Sequence, residues 1–486
     1  MKTNHPPMPF RVAGYFPILL AVLFMCALWS VAQAQEPQKP APEVQQLKER
    51  LLQLEQTVDQ LKAQINSMEE SQKKPDAAAG EKIALSATAP AASAVAPAET
   101  TAKPQENGEK KGESTFTIYG FAMLDSGYQF KQADPDWFDT VRPVKLPAFR
   151  DQFAPDGNYF TSVRQTRFGA KSSTPTRYGE LKTIFEFELF GTGADAGQTT
   201  FRLRHAYGEL GQIGAGQNWS TFVDPDVFPN TNEYWGPNGI AWYRNVQFRW
   251  MPIKGRNALT IAAERPGASA DAGRVADRIE IQGVRPRFPL PDLTANVRFE
   301  RDWGHFQAAG VVRRISWVDT VDDAFDLGGS ATGAGVSLTS KLNAGRKDAV
   351  KLSFVYGTGI ENYMNDAPVD VGVERTNSTN PRTPIRGVAL PVLGVMAYLD
   401  HTWSRRWASS IGYSMLNISN SDLQAPDAFH RGHYASGNIL FYPVDRAMVG
   451  AELIWGRREN FLDGFSSEDV HLQFSFKYNF SKELKF

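Results

Sequence analysis

The 486-residue sequence contains one cysteine, Cys26. A single thiol excludes a disulfide framework and a multi-cysteine metal site. Charge of one sign is also missing. The 52 Lys+Arg residues meet 53 Asp+Glu residues and leave a net charge of −1, which argues against a basic protein built for polyanions, so no nucleic-acid partner is expected. Repeated apolar runs of about 20 residues are absent, which excludes a polytopic helical membrane protein. The seven histidines show neither HxH nor HExxH spacing, so no metal is assigned. No G-x-S-x-G stands in the chain. With these gaps the expectation is a non-enzyme without cofactors.

Four stretches of different composition follow one another. Lys2 and Arg11 precede an apolar run from Tyr15 to Trp29, and Ala32-Gln33-Ala34 then offers a small-x-small cleavage site. Residues 1–34 therefore read as a signal peptide, whose removal takes away two positive charges and Cys26. Apolar residues then recur at Val44, Leu47, Leu51, Leu54, Val58, Leu61, Ile65 and Met68. The steps alternate between three and four residues, the a/d pattern of a coiled coil over 43–70. Residues 71–114 are rich in Ala, Pro, Glu, Lys, Ser and Thr; a segment so poor in large apolar residues reads as a disordered spacer.

Residues 115–486 alternate apolar and polar residues. Val470, Leu472, Phe474, Phe476 and Tyr478 share one face, and His471, Gln473, Ser475 and Lys477 the other. Strands of about ten residues with one greasy face suit a transmembrane β-barrel. The pattern predicts sixteen strands between about 116 and 480, including 159–173, 293–301, 332–343, 433–442 and 469–480. Connections alternate strictly between long (131–158, 221–241, 266–292, 359–389) and short (174–178, 252–256, 344–347, 402–406, 443–446), as in outer-membrane barrels. Trp250, Trp403, Trp407 and Tyr442 lie near short turns, where an interfacial aromatic girdle belongs. An even strand number puts both barrel ends, and the coil, on the periplasmic side.

Several motifs carry a resemblance. Gln165-Thr166-Arg167-Phe168-Gly169-Ala170-Lys171 leads through a turn into Gly179-Glu180-Leu181-Lys182, and Arg204-His205-Ala206-Tyr207-Gly208-Glu209-Leu210 follows. These resemble consecutive strands of Gram-negative general porins. Gly214 to Trp219 resembles the next porin stretch, with Gln217 where many porins carry a lumen arginine, and Tyr243-Arg244-Asn245 resembles the return from the constriction loop. The order of parts, with the segment Gly304 to Arg314, resembles the DcaP-type porins linked to dicarboxylate uptake. That resemblance implies a homotrimer in the outer membrane, contacting its lipid, with a sixteen-stranded barrel and a passive channel for small, anionic, dicarboxylate-type solutes. Phosphate- or sugar-selective porins remain the alternative reading, as does a structural tether reaching the cell wall through the coil.

In such a channel the loop 221–241 would fold inward and carry Asp224, Asp226 and Glu233 to the narrowest point. Strand parity groups Arg167 with Lys171, groups Arg202 with Arg204, puts Arg249 opposite Phe248 and Trp250, and gives Arg313 the face of His305; all are lumen candidates. Arg244 is ambiguous, since parity places it with Phe248 while its motif places it in the pore. Porins usually end on the aromatic of the last strand, here Phe480, yet Ser481 to Phe486 follow.

Overall fold

The computed structural model describes residues 113–376 and 380–486. The expected signal peptide, the coiled-coil positions Val44 to Met68 and the spacer up to residue 112 lie outside them.

Twenty β-strands follow in order: β1 (Thr115–Gln129), β2 (Asn158–Ser162), β3 (Arg167–Thr176), β4 (Gly179–Phe190), β5 (Thr199–Leu210), β6 (Ile213–Trp219), β7 (Arg244–Ile253), β8 (Asn257–Glu264), β9 (Val284–Arg287) and β10 (Asp292–Arg301). The second half runs β11 (Gly304–Asp319), β12 (Gly329–Ala344), β13 (Asp348–Thr358), β14 (Val371–Arg375), β15 (Ile385–Ala389), β16 (Pro391–Thr402), β17 (Trp407–Ile418), β18 (Phe429–Phe441), β19 (Ala447–Asn460) and β20 (Ser466–Lys485). Eighteen belong to one antiparallel sheet. Two pairs are halves of single wall strands: β2 and β3 both pair with β1, and β9 and β10 both pair with β11. The wall therefore has sixteen strands. It closes where β1 pairs with β20 from Thr115↔Lys485 to Gln129↔His471, so the wall has no terminal edge strand, as a membrane requires. β14 and β15 form a separate hairpin inside a long loop.

Alternation explains the two faces. Phe474, Phe476 and Tyr478 are about half exposed on the outer face, whereas Gln473 and Ser475 are buried on the inner one. Trp250, Trp403 and Trp407 are exposed beside short turns. Among the described residues no helix is long and apolar enough to span a membrane; the strands supply the crossing surface.

Several boundaries differ from the sequence expectation. The wall strand expected over 159–173 breaks between Ser162 and Arg167. There Arg164 bonds Asp139 at 2.6 Å and the Gly191 carbonyl at 2.9 Å, while the next residue, Gln165, bonds Asp125 at 2.8 Å. Two consecutive side chains thus point inward, which an unbroken pleat forbids. β12 and β18 start earlier than expected, and β20 runs past Phe480 to Lys485. Its last residues pair with Thr115 to Tyr119, and Ser114 and Phe486 exchange backbone hydrogen bonds. Partners across the barrel seam, invisible to alternation, hold these polar residues in strand.

Candidate pore site

The connection between β6 and β7 enters the barrel and follows the inside of the wall. At its start, Asp224 accepts hydrogen bonds from Thr339 of β12 at 2.7 Å and Arg298 of β10 at 3.2 Å, and lies 2.7 Å from His305 of β11. Lys351 of β13 donates to the Phe228 carbonyl at 2.6 Å, and Asn438 of β18 to the Asn230 carbonyl at 2.8 Å. Glu452 of β19 accepts from the Asn232 and Glu233 amides at 2.5 and 2.9 Å, while Gln165 donates to the Asn232 carbonyl at 2.9 Å. Tyr434 donates to Glu233 at 3.1 Å, and the Gly239 amide donates to Ser414 at 2.8 Å. Wall side chains thus meet many of the backbone groups that a buried loop must satisfy, and the loop's own turns meet others.

Electrostatics differ at the two anchored acids. Burial opposes ionisation of Asp224, but His305, Thr339 and Arg298 more than offset it, and its pKa lies below the usual carboxylate value. Burial pushes Glu233 up to about 8, with Glu452 adding to the rise, so it holds a proton at neutral pH. Asp224, Asp226 and His305 bring ligand atoms within 4.8 Å of one another. Arg298 already bridges both carboxylates, at 3.2 and 2.5 Å, so the positive charge there is a guanidinium.

After Glu233 the loop meets a cluster of arginines. Glu186 and Glu188 point inward from β4. Arg204 of β5 bonds both, at 2.6 Å each. Arg167 reaches Glu188 at 3.2 Å, Arg202 at 3.6 Å and Arg244 at 3.7 Å. Tyr234 donates to Glu188 and stacks on Phe190 at 3.9 Å. Trp219 lies 4.9 Å beneath the Arg244 guanidinium. Four guanidinium groups thus face two carboxylates, and Nη1 of Arg202 and of Arg244, both buried, has no hydrogen-bond partner among the described residues. Both arginines line a cavity of about 310 Å³, with Trp219, Tyr234, Trp242 and Met364. A second, polar cavity of about 670 Å³ lies toward the short turns, lined by Lys341, Lys347, Lys351, Asp348, Asp400 and His401. Loop residues border both.

The sequence-predicted residues therefore separate. Arg167, Arg202, Arg204 and Arg244 come together, and the motif rather than parity places Arg244. Asp224 and Glu233 are buried anchors: wall donors take up the oxygens of Asp224, while Oε2 of Glu233 accepts from Tyr434 of the wall and from the loop's own Gly236 amide. Asp226 is half exposed but paired with Arg298. Arg313 is buried between Asp292 at 3.2 Å and Asp370 at 3.0 Å, where it ties two long loops over the mouth. Arg249 folds back onto Gln247 and the Trp219 carbonyl, at 2.9 and 2.6 Å. Lys171 stands apart, 5.7 Å over the Tyr119 ring. Glu186 and Glu188 were missed as site residues, although alternation already placed them opposite Phe185 and Phe187.

A family model described as DcaP outer membrane protein matches residues 43–480. Among solved structures, the outer membrane channel DcaP of Acinetobacter baumannii is 20% identical with a TM-score of 0.62, over 76% of this chain and 99% of that one. An anion-selective porin from Comamonas acidovorans is 10% identical with a TM-score of 0.49, over 76% of this chain and 100% of that one. OmpT of Vibrio cholerae, as its loop L8 deletion mutant, is 13% identical with a TM-score of 0.45, over 76% and 99%. No curated protein matches the sequence.

Proposed function

This chain belongs to the DcaP outer membrane protein family, and from that premise we propose that its barrel is a passive channel preferring small anions of the dicarboxylate type. The excess of guanidinium over carboxylate at the inward loop carries the reading. Arg202 and Arg244 both line the same cavity, and each approaches Glu188 only at 3.6–3.7 Å, outside its tight pairing with Arg204. A carboxylate passing there meets positive charge in a confined space, where dielectric screening is weaker than in bulk water. The paired glutamates keep the attraction moderate, and a channel needs binding weak enough for release. A dicarboxylate engages two such groups; a neutral sugar gains nothing from them.

The sugar reading keeps one supporting observation, the aromatic run of Phe228, Trp242 and Trp219, with ring centroids 4.6 and 4.3 Å apart. Liposome swelling with succinate, glucose and a neutral amino acid separates the two. Faster entry of succinate than of a neutral solute of equal size supports anion preference; equal rates refute it. The pure tether reading predicts no conductance at all.

The same reading makes the assembly a homotrimer in the outer membrane, with the coiled coil of residues 43–70 on the periplasmic side. The pairing of Ser114 with Phe486 at the short-turn end supports that side. Deleting residues 35–114 should leave the trimer intact, because wall contacts would dominate; a monomer by light scattering in detergent would refute this.

A further inference from the structure

On the outer face, Leu293 of β10 stands between Ala263 of β8 and Val312 of β11. Carried one pleat further toward the long loops, that register puts Arg265 and Arg314 on either side of Pro291. Two strand spacings separate their backbones, about 10 Å. Arg287 of β9 pairs with Ser316, the next outward residue after Arg314. All three arginines are exposed. Unlike the lumen arginines, none has a side-chain hydrogen bond or ion pair with any described residue. From Gly304 at the short turn to Val312 the strand is about as long as the apolar thickness of a bilayer. Arg314 therefore sits at headgroup level, where a charge is tolerated.

Directly below the rim the wall is hollowed. Ala295, Gly310 and Ala334 are small, and with Ile261, Val336 and Tyr356 they border an apolar groove of about 850 Å³. A Cβ added at Gly310 would meet nothing nearer than 3.8 Å. Wall packing does not require that glycine; its effect is to leave the groove open.

We propose that this rim and groove bind a doubly phosphorylated, multiply acylated glycolipid of the outer leaflet. Guanidinium forks match phosphate oxygens in geometry and charge, and two unshielded phosphates suit arginines about 10 Å apart. A zwitterionic phospholipid presents one phosphate with its own cation beside it. The acyl chains lie over Leu293 and Val312 into the groove.

The test uses the full folded protein in neutral detergent, with lipid A and phosphatidylethanolamine as probes and native mass spectrometry as the readout. The wild type should retain lipid A at concentrations where no phosphatidylethanolamine adduct survives. The triple variant Arg265→Gln, Arg287→Gln, Arg314→Gln should lose at least tenfold of the lipid A adduct while single-channel conductance stays unchanged. Gly310→Leu, which fills the groove and keeps the arginines, should also reduce it. Undiminished lipid A in the triple variant, or equal retention of both lipids by the wild type, would overturn the proposal. So would dissociation of the assembly into protomers by Gly310→Leu, since a second copy of the chain would then be what covers the groove.

Discussion

Neutralising Arg202 and Arg244 together tests the pore reading most directly. Both approach Glu188 from outside its tight pairing with Arg204, at 3.6 and 3.7 Å against 2.6 Å. In the double variant Arg202→Gln, Arg244→Gln, Arg167 and Arg204 still balance Glu186 and Glu188, so the excess charge vanishes while the ion-paired core survives. A unit charge about 6 Å from a passing anion contributes roughly 0.7 kcal/mol at a dielectric near 80 and about 3 kcal/mol near 20. Two such charges, screened about twofold at 0.15 M salt where the Debye length is about 8 Å, leave roughly 0.7–3 kcal/mol. That corresponds to a drop in anion-over-cation permeability of about threefold at least, and of about a hundredfold at the lower dielectric. The assay is the reversal potential across a planar bilayer under a KCl gradient. Heat-modified mobility on gels should match the wild type, since both residues stand outside the tight pairs that Arg204 makes. A reversal potential unchanged in the folded double variant would show that permeating ions do not sense these arginines, and the anion-channel argument would fail with it.

Arg204→Met should act differently, lowering barrel stability by about 3–5 kcal/mol because Glu186 and Glu188 are left buried without their best partner; heat-modified mobility on gels reads this out, and an unchanged transition temperature would contradict it. Asp224→Asn weakens the loop's attachment to β10–β12, so its channels should show more open-state current noise; quiet channels would mean that the remaining anchors suffice. Glu233 holds its proton up to about pH 8 in the closed loop, whereas a solvated glutamate releases it near 4.3. The closed loop thus binds more protons between those values, and its stability falls as pH rises through that window. Amide exchange over residues 232–236, corrected for intrinsic rate, should accelerate across it in the wild type and stay flat in Glu233→Gln; equal slopes would refute the assignment.

Much of the wall was readable from composition and period alone. A lipid-facing side must be apolar and a lumen side polar, so the two-residue alternation in Val470–Tyr478 had to appear in the chain itself. Short turns need few residues and sit at fixed spacing, so strand number and the long–short rhythm could be placed; that the connection at 221–241 turns inward was implied only by the resemblance to porins. The coiled-coil expectation over 43–70 stands on its heptads. Parity also sorted Arg167, Arg202 and Arg204 onto the inner face, with Glu186 and Glu188 beside them.

Only the closed barrel decided which inward charges meet. Asp224 and Arg298, or Glu233 and Glu452, are distant in sequence and adjacent only because the loop follows the wall. Period reports which face a side chain occupies and nothing of its height along the barrel, so Arg313 and Arg202 looked alike. One is sealed between Asp292 and Asp370, and the other lines the cavity beside Arg244. Arg244 shows the same limit from the other side: at the first residue of β7 the chain is still leaving the loop, and its side chain follows the loop instead of the pleat. Likewise the break at Arg164-Gln165 depends on Asp139 of the first long connection and on Asp125 of the neighbouring strand β1. Local pattern determines the faces of a barrel; long-range closure determines its contacts, because charges pair through space and not along the chain.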